Sequence, residues 1–230
     1  MKLRKETANP DASAGALHGR WYRDACGTAF ALEVIGERWS LLVVRELMLG
    51  ALRFSDIRAG LPSISAKVLT ERLAGLERAG VLRRRRLDPP VAVQVYELTE
   101  WGYLAEPLIQ ELGRWAARSP LHDPTLPLSP VAFMLSLRTM LDDHASLDCD
   151  IGFVIAGQTF RARLAGGDMP VTREPVDGAG AVFRAPDAAL LAARFYGDVP
   201  PRALPGLVIE GDVDLAQRFV GLFALPPKAG

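Results

Sequence analysis

Four consecutive arginines, Arg83–Arg86, form the densest run of chemically active side chains in the chain. Guanidinium groups stay charged at any physiological pH, and their forked donors match phosphate oxygens. If the run is a strand, alternation puts Arg84 and Arg86 on one face and Arg83 and Arg85 on the other. At least one pair then meets solvent or a ligand. A charged strand edge that blocks unwanted pairing would use one or two such residues, and four in succession exceed that need. Just upstream stand Ser65, Lys67, Thr70 and Arg72, spaced along what reads as the first two turns of a helix. A helix start carries free N–H groups and the positive end of the dipole. The chemistry implied is contact with a polyanion, with Lys67 and Thr70 pointing outward and Arg72 at the edge of the buried face.

Other chemistries lack their residues. The two cysteines, Cys26 and Cys149, form no CxxC pair, and the three histidines share no ligand spacing, so no metal site is expected. No GxSxG, HExxH or phosphate-binding loop occurs. The GAGA at 178–181 lacks the third glycine and the strand-to-helix setting of a dinucleotide fingerprint. Asp142 and Asp143 read as solvated charge at a helix end, and Asp212 as a turn residue. No catalytic residue and no cofactor are expected, and the chain reads as a binding protein rather than an enzyme.

These residues need elements to position them. A first helix is predicted near Cys26–Ile35, ended by Gly36, and a second near Trp39–Leu49, ended by Gly50. A short third helix follows Ser55 as N-cap and stops before Pro62. The fourth runs from Ser65 to Gly80. Its Leu69, Leu73 and Leu76 lie on one face, with Lys67, Thr70, Glu71, Ala74 and Arg78 opposite. Two β-prone runs around Asp88-Pro89-Pro90 then read as a hairpin. Thr99 caps a long helix over Glu100–Arg118, kinked at Pro107. Its Trp101, Leu104, Leu108, Leu112 and Trp115 form an apolar seam at coiled-coil-like spacing, more than one small module needs, and read as a dimer surface. Trp39 and Trp115 read as packing residues rather than ligand-stacking ones. Helix, helix, short helix, long helix and basic hairpin is the order of a winged helix-turn-helix, in which the fourth helix enters the major groove of double-stranded DNA and the hairpin touches phosphate.

The rest of the chain changes character. Residues 119–130 are proline-rich and read as a linker, and the charge changes sign there. Residues 1–118 hold 18 Lys and Arg against 14 Asp and Glu, and residues 119–230 hold 9 against 13. Residues 1–19 read as a mobile tail, residues 20–118 as the DNA-binding and dimerisation domain, and residues 131–230 as a small α+β domain. In the last, helices are expected at 131–141, 187–196 and 212–223. Antiparallel strands are expected over 149–184 and a further strand at 207–212. The N-terminus lacks an apolar signal core, and no apolar run of about 18 residues exists. A cytoplasmic protein with no membrane contact is expected.

The blocks CGTAFALEVIGERWSLLVVREL, GALRFSDI, LTERLAGLERAG and VYELTEWG, in that order over residues 26–116, resemble the HxlR-type winged-helix regulators. The resemblance implies a homodimer on a two-fold operator, held by the terminal helices of the module. It implies recognition-helix contacts from Ser65, Lys67, Thr70 and Arg72. Arg53, Arg84, Arg85 and Arg86 would bind the DNA backbone. Cys26 stands where some members carry a cysteine that senses electrophiles or oxidants, and a helix N-terminus lowers a thiol pKa. The competing reading is a small packing residue. Residues 183–223 resemble the C-terminal part of sterol carrier protein-like domains, which implies an apolar tunnel under a sheet and a small apolar ligand. A filled core that supports the dimer is the other reading. A lipid carrier or interaction protein that uses its winged helix to bind protein is the third.

Overall fold

In a computed structural model, residues 22–88, 92–142 and 146–230 are described; the expected tail, the Pro89-Pro90 turn and Asp143 lie outside them. Four helices open the described chain: α1 (Gly27–Ile35), α2 (Ser40–Leu47), α3 (Phe54–Gly60) and α4 (Ala66–Arg78). The leucine stripe of α4 decides their packing. Leu69, Leu73 and Leu76 are at most 2% exposed, and they meet Val43, Val44, Leu47 and Ile57 from α2 and α3. The Ser65 hydroxyl accepts the N–H of Val68 at 3.2 Å and fixes where α4 starts. A hairpin of β1 (Leu82–Arg86) and β2 (Gln94–Leu98) follows, antiparallel with Arg83 opposite Glu97.

Two local expectations are corrected here. The third helix starts at Phe54 with Arg53 as its N-cap, not after Ser55. Asp56 is the reason: its carboxylate accepts the Arg53 N–H at 3.3 Å, while the Ser55 hydroxyl bonds to that same carboxylate. The long helix expected over Glu100–Arg118 is two helices, α5 (Glu100–Tyr103) and α6 (Glu106–Ala117). Pro107 falls in the first turn of α6, where its missing N–H leaves no helical bond unmade. It starts a helix rather than kinking one.

The second half comprises α7 (Pro130–Met140), β3 (Cys149–Ile155), β4 (Gln158–Leu164), β5 (Val171–Thr172), β6 (Ala181–Ala185), α8 (Ala188–Tyr196), β7 (Val208–Gly211) and α9 (Val213–Val220). The five strands are ordered β5-β4-β3-β6-β7. The expected all-antiparallel pairing fails at one place, because β6 runs parallel to β3. The segment 173–180 returns the chain to the starting end of β3 before β6 begins. Gly152 makes room for this crossing, since a Cβ there would sit 2.8 Å from Cβ of Val176.

Helices α7, α8 and α9 cover the sheet through a layer of rings. Phe153 stacks on Phe183 at 5.4 Å between centroids, and Phe195 meets Phe183 at 5.2 Å and Phe219 at 6.1 Å. Phe133, Phe153, Phe183 and Phe219 are completely buried. Rings occupy the layer in which the sterol-carrier resemblance implies a tunnel.

The halves are joined by polar contacts as well as apolar ones. Glu46 of α2 is 2% exposed, and its carboxylate accepts from Arg45 at 2.7 Å and from the Ser129 hydroxyl at 2.7 Å. Ser129 also caps α7 by accepting the Ala132 N–H. Arg114 of α6 donates to the Thr139 carbonyl at 3.0 Å, and Arg138 of α7 pairs with Glu106 of α6. Near the C-terminus, Lys228 donates to the carbonyls of Ala117, Ser119 and His122.

Candidate nucleic-acid interface

Helix α4 and the hairpin are joined where Arg84 of β1 meets Glu77 near the end of α4. Leu69 and Leu73 point inward, so Lys67, Thr70, Glu71 and Arg78 point outward and are exposed. Ser65 stands at the helix start with its hydroxyl proton still free to donate. Thr70 is already bonded through its hydroxyl to the Ala66 carbonyl at 2.9 Å, which leaves its oxygen as an acceptor. Lys67 and Arg53 are exposed, and neither side chain forms an ion pair with a described residue. Arg72 is placed differently. Its side chain is 15% exposed and lies against Glu37 at 3.3 Å, tying α4 to the loop after α1.

The hairpin arginines follow the expected alternation, and each face finds a carboxylate. Arg83 and Arg85 both donate to Glu97, at 2.7 and 3.0 Å. On the other face Arg84 holds Glu77 of α4 at 2.6 Å. That pair links the far end of α4 to the hairpin. Arg86 forms no ion pair with a described residue. The hydrogen bond from Arg84 holds the Glu77 carboxyl below its ordinary pKa against partial burial. Burial pushes Glu97 upward, but hydrogen bonds from Arg83 and Arg85 outweigh it, and its pKa also ends below the ordinary range. All four arginines remain exposed, so the pairs orient the guanidinium groups without hiding them.

Sequence reasoning found these cations but not Glu77, Glu97 and Glu37, which position them. Glu97 follows Tyr96 in a β-prone run, and only the strand register puts it opposite Arg83.

The apolar seam is uncovered. Leu104 and Trp115 are each 75% exposed, Trp101 is 46%, and Leu108 and Leu112 are 42% and 41%. On α1, Phe30 and Leu32 are also exposed, a feature the sequence reading missed. Trp39, by contrast, packs half-buried against the core, with the Arg38 guanidinium over its ring at 5.4 Å.

Cys26 is exposed and stands at the N-cap of α1. The N–H groups of Thr28 and Ala29, with the Thr28 hydroxyl, lower its thiol pKa. Burial pushes the other thiol, Cys149, up to about 11. Among the described residues no group of three or more His, Cys, Asp or Glu side chains could hold a metal ion, and no helix is long and apolar enough to cross a membrane.

Comparison with known proteins places this surface. The model of the HxlR-like helix-turn-helix family matches residues 34–122. Two relatives from Bacillus subtilis (strain 168), the HTH-type transcriptional regulators YvaP and YodB, are each 40% identical over 87 residues. Those matches span 37% of this chain and 80% and 77% of the relatives. The solved structure of the reduced form of YodB is 33% identical and covers 44% of this chain and all of that one, with a TM-score of 0.39. The family assignment rests on the sequence matches rather than on that superposition. Residues 123–230 lie outside the family match. Through residues 34–122 the chain belongs to the HxlR-like helix-turn-helix family.

Proposed function

We propose that this DNA-binding transcriptional regulator binds a two-fold operator as a homodimer in the cytoplasm, without a catalytic step, and that the second domain carries a signal or supports the dimer. The observation that carries the reading is the exposure of both the α4 N-terminus and the β1 arginines, on a helix and a hairpin tied together through Glu77 and Arg84. Ser65, Lys67 and Thr70 would meet base edges and nearby phosphates. Arg53, Arg84, Arg85 and Arg86 would meet the backbone, and Arg72 would hold α4 in place through Glu37. Two-fold pairing would cover Trp101, Leu104, Leu108, Leu112 and Trp115. Residues 20–118 would act as the DNA-binding and dimerisation domain and residues 119–130 as the connection. Residues 131–230 would form a sterol-carrier-like α+β domain.

The test is retardation of duplex DNA from the region upstream of the protein's own gene. Binding should weaken steeply as salt rises, because neutralised phosphates release counterions. A protein that binds no duplex even at low salt would overturn the reading.

One observation favours a second layer of control. Cys26 combines exposure with a lowered pKa at a helix start, the setting of a reactive thiol. The relative HypR is described as a redox regulator, and YodB has been solved in a quinone-bound form. In the reading proposed here, oxidant or electrophile modifies Cys26 and changes DNA affinity. Cys26→Ser should then bind DNA with no response to diamide; a variant that still responds rules the switch out.

A further inference from the structure

A groove of about 520 Å³ runs between α6 of the first domain and α7 and α8 of the second. That volume lies within the range of about 300–1,000 Å³ typical of small-molecule sites. Ile109 and Gly113 of α6 form one wall, Leu135 and Ser136 of α7 another, and Tyr196 of α8 closes one end. At the rim, Leu121 and Leu126 from the connecting segment stand 92% and 63% exposed. Two leucines so open beside an apolar groove are what a bound apolar molecule would cover.

The polar end is set by hydrogen-bond arithmetic. The Ser136 hydroxyl donates to the Phe133 carbonyl at 2.8 Å. Its 2.7 Å contact with the Tyr196 hydroxyl must therefore use the tyrosine proton. Tyr196 Oη is left with acceptor capacity and no proton to give. Of the ionisable side chains on the wall, Arg45 is held by Glu46, while His122 and Asp123 are exposed at the rim on the connecting segment, Asp123 accepting the Thr125 hydroxyl and N–H through one oxygen. Away from that rim the described wall is mostly apolar, and burying a charge against it without a partner is costly, which favours a neutral ligand.

We propose that this groove, at the seam between the domains, binds a neutral, largely apolar small molecule with one hydroxyl or N–H donor, which bonds to Tyr196. The inference rests on the reading of the second domain as the part that carries a signal, and it moves the ligand from the ring-filled core to the junction. A molecule there touches α6, the helix that also bears Leu108, Leu112 and Trp115, so occupancy would reach the proposed dimer seam directly.

The probe is 2-naphthol, titrated into the full-length protein by fluorescence, with 2-methoxynaphthalene as the matched compound that lacks a donor. The expected result is saturable binding of one 2-naphthol per chain, tighter than its ether. Tyr196→Phe should weaken 2-naphthol about five- to tenfold and leave the ether unchanged. Gly113→Leu should weaken both at least tenfold. A Cβ at Gly113 finds only Thr139 Cγ2, at 3.8 Å, and leucine favours a helix more than glycine does, so this variant keeps its fold while filling the groove. If 2-naphthol binds equally well to wild type and Gly113→Leu, the site is wrong and an apolar-ligand role for the second domain survives. If neither compound binds saturably to the wild type, both ideas fall.

Discussion

In residues 131–230 the phenylalanine rings turn inward. Phe133, Phe153, Phe183 and Phe219 are fully buried and touch one another across the layer between sheet and helices. In residues 100–117 large apolar side chains turn outward, with Leu104 and Trp115 75% exposed. The charges differ in the same sense. Arg161 and Asp150 in the second half are joined by two hydrogen bonds, and Arg161 is further held by the Asp177 carbonyl, so the guanidinium is consumed within the domain. Arg53, Lys67 and Arg86 in the first half remain exposed without such partners among the described residues. The second half keeps its rings and the Arg161 guanidinium to itself, and the first leaves an apolar seam and several cations open to a partner.

The largest effect expected from this contrast is in the ring layer. Phe153 contacts Phe133, Phe183, Phe195 and Phe219, so Phe153→Ala removes the centre of the cluster. The forfeited transfer energy and a residual cavity together should lower the unfolding free energy by about 3–5 kcal/mol, read by urea denaturation. A loss below about 1 kcal/mol would mean that the rings do not hold this half together, and the contrast would break.

The seam gives the next effect and the opposite behaviour. Trp115→Ala should leave stability almost unchanged in the monomer, since the ring is mostly exposed already. Self-association should weaken by about 2 kcal/mol or more, roughly 30-fold, as for an aromatic anchor at an interface. Sedimentation at a series of concentrations reads this directly. If the wild-type chain sediments as a monomer at every concentration, the seam serves no dimer.

What could be read from the sequence divides along a physical line. Elements set by local periodicity were legible: the Leu69, Leu73, Leu76 stripe fixed α4, and strand alternation placed Arg83 and Arg85 opposite to Arg84 and Arg86. Features set by register or by distant partners were not. Glu97 becomes the counter-charge of two arginines only through the pairing of Arg83 with Glu97. The buried Glu46 and its partner Ser129 are 83 residues apart. The parallel β3–β6 pair depends on a crossing that leaves no periodic trace. Pro107 misled because the same residue breaks a helix interior and suits a helix start.

Among the basic residues, replacing Arg84, Arg85 and Arg86 by alanine should weaken binding to every duplex alike. The slope of log affinity against log salt should flatten by about 0.9 for each phosphate that is no longer neutralised. Lys67→Ala should also reduce preference for the operator over unrelated DNA, because its position allows it to reach a base edge. A slope unchanged by the triple substitution would place the wing away from DNA.

The smallest effect tests the counter-charges. Both Glu77 and Glu97 have carboxyl pKa values held below the ordinary 4.5. A depressed folded-state pKa contributes stability above the unfolded value, and that contribution is lost as pH falls through the folded value. At pH 7 both carboxylates are therefore ionised and compete with phosphate for Arg83, Arg84 and Arg85. Glu97→Gln removes one competitor and leaves the hairpin register intact. DNA affinity should rise about two- to fivefold at low salt, the scale of one exposed ion pair, and the gain should shrink as salt rises. A loss of affinity would mean that Glu97 matters more for aiming its two arginines than for competing with DNA, and would turn the pair from a brake on binding into part of the interface.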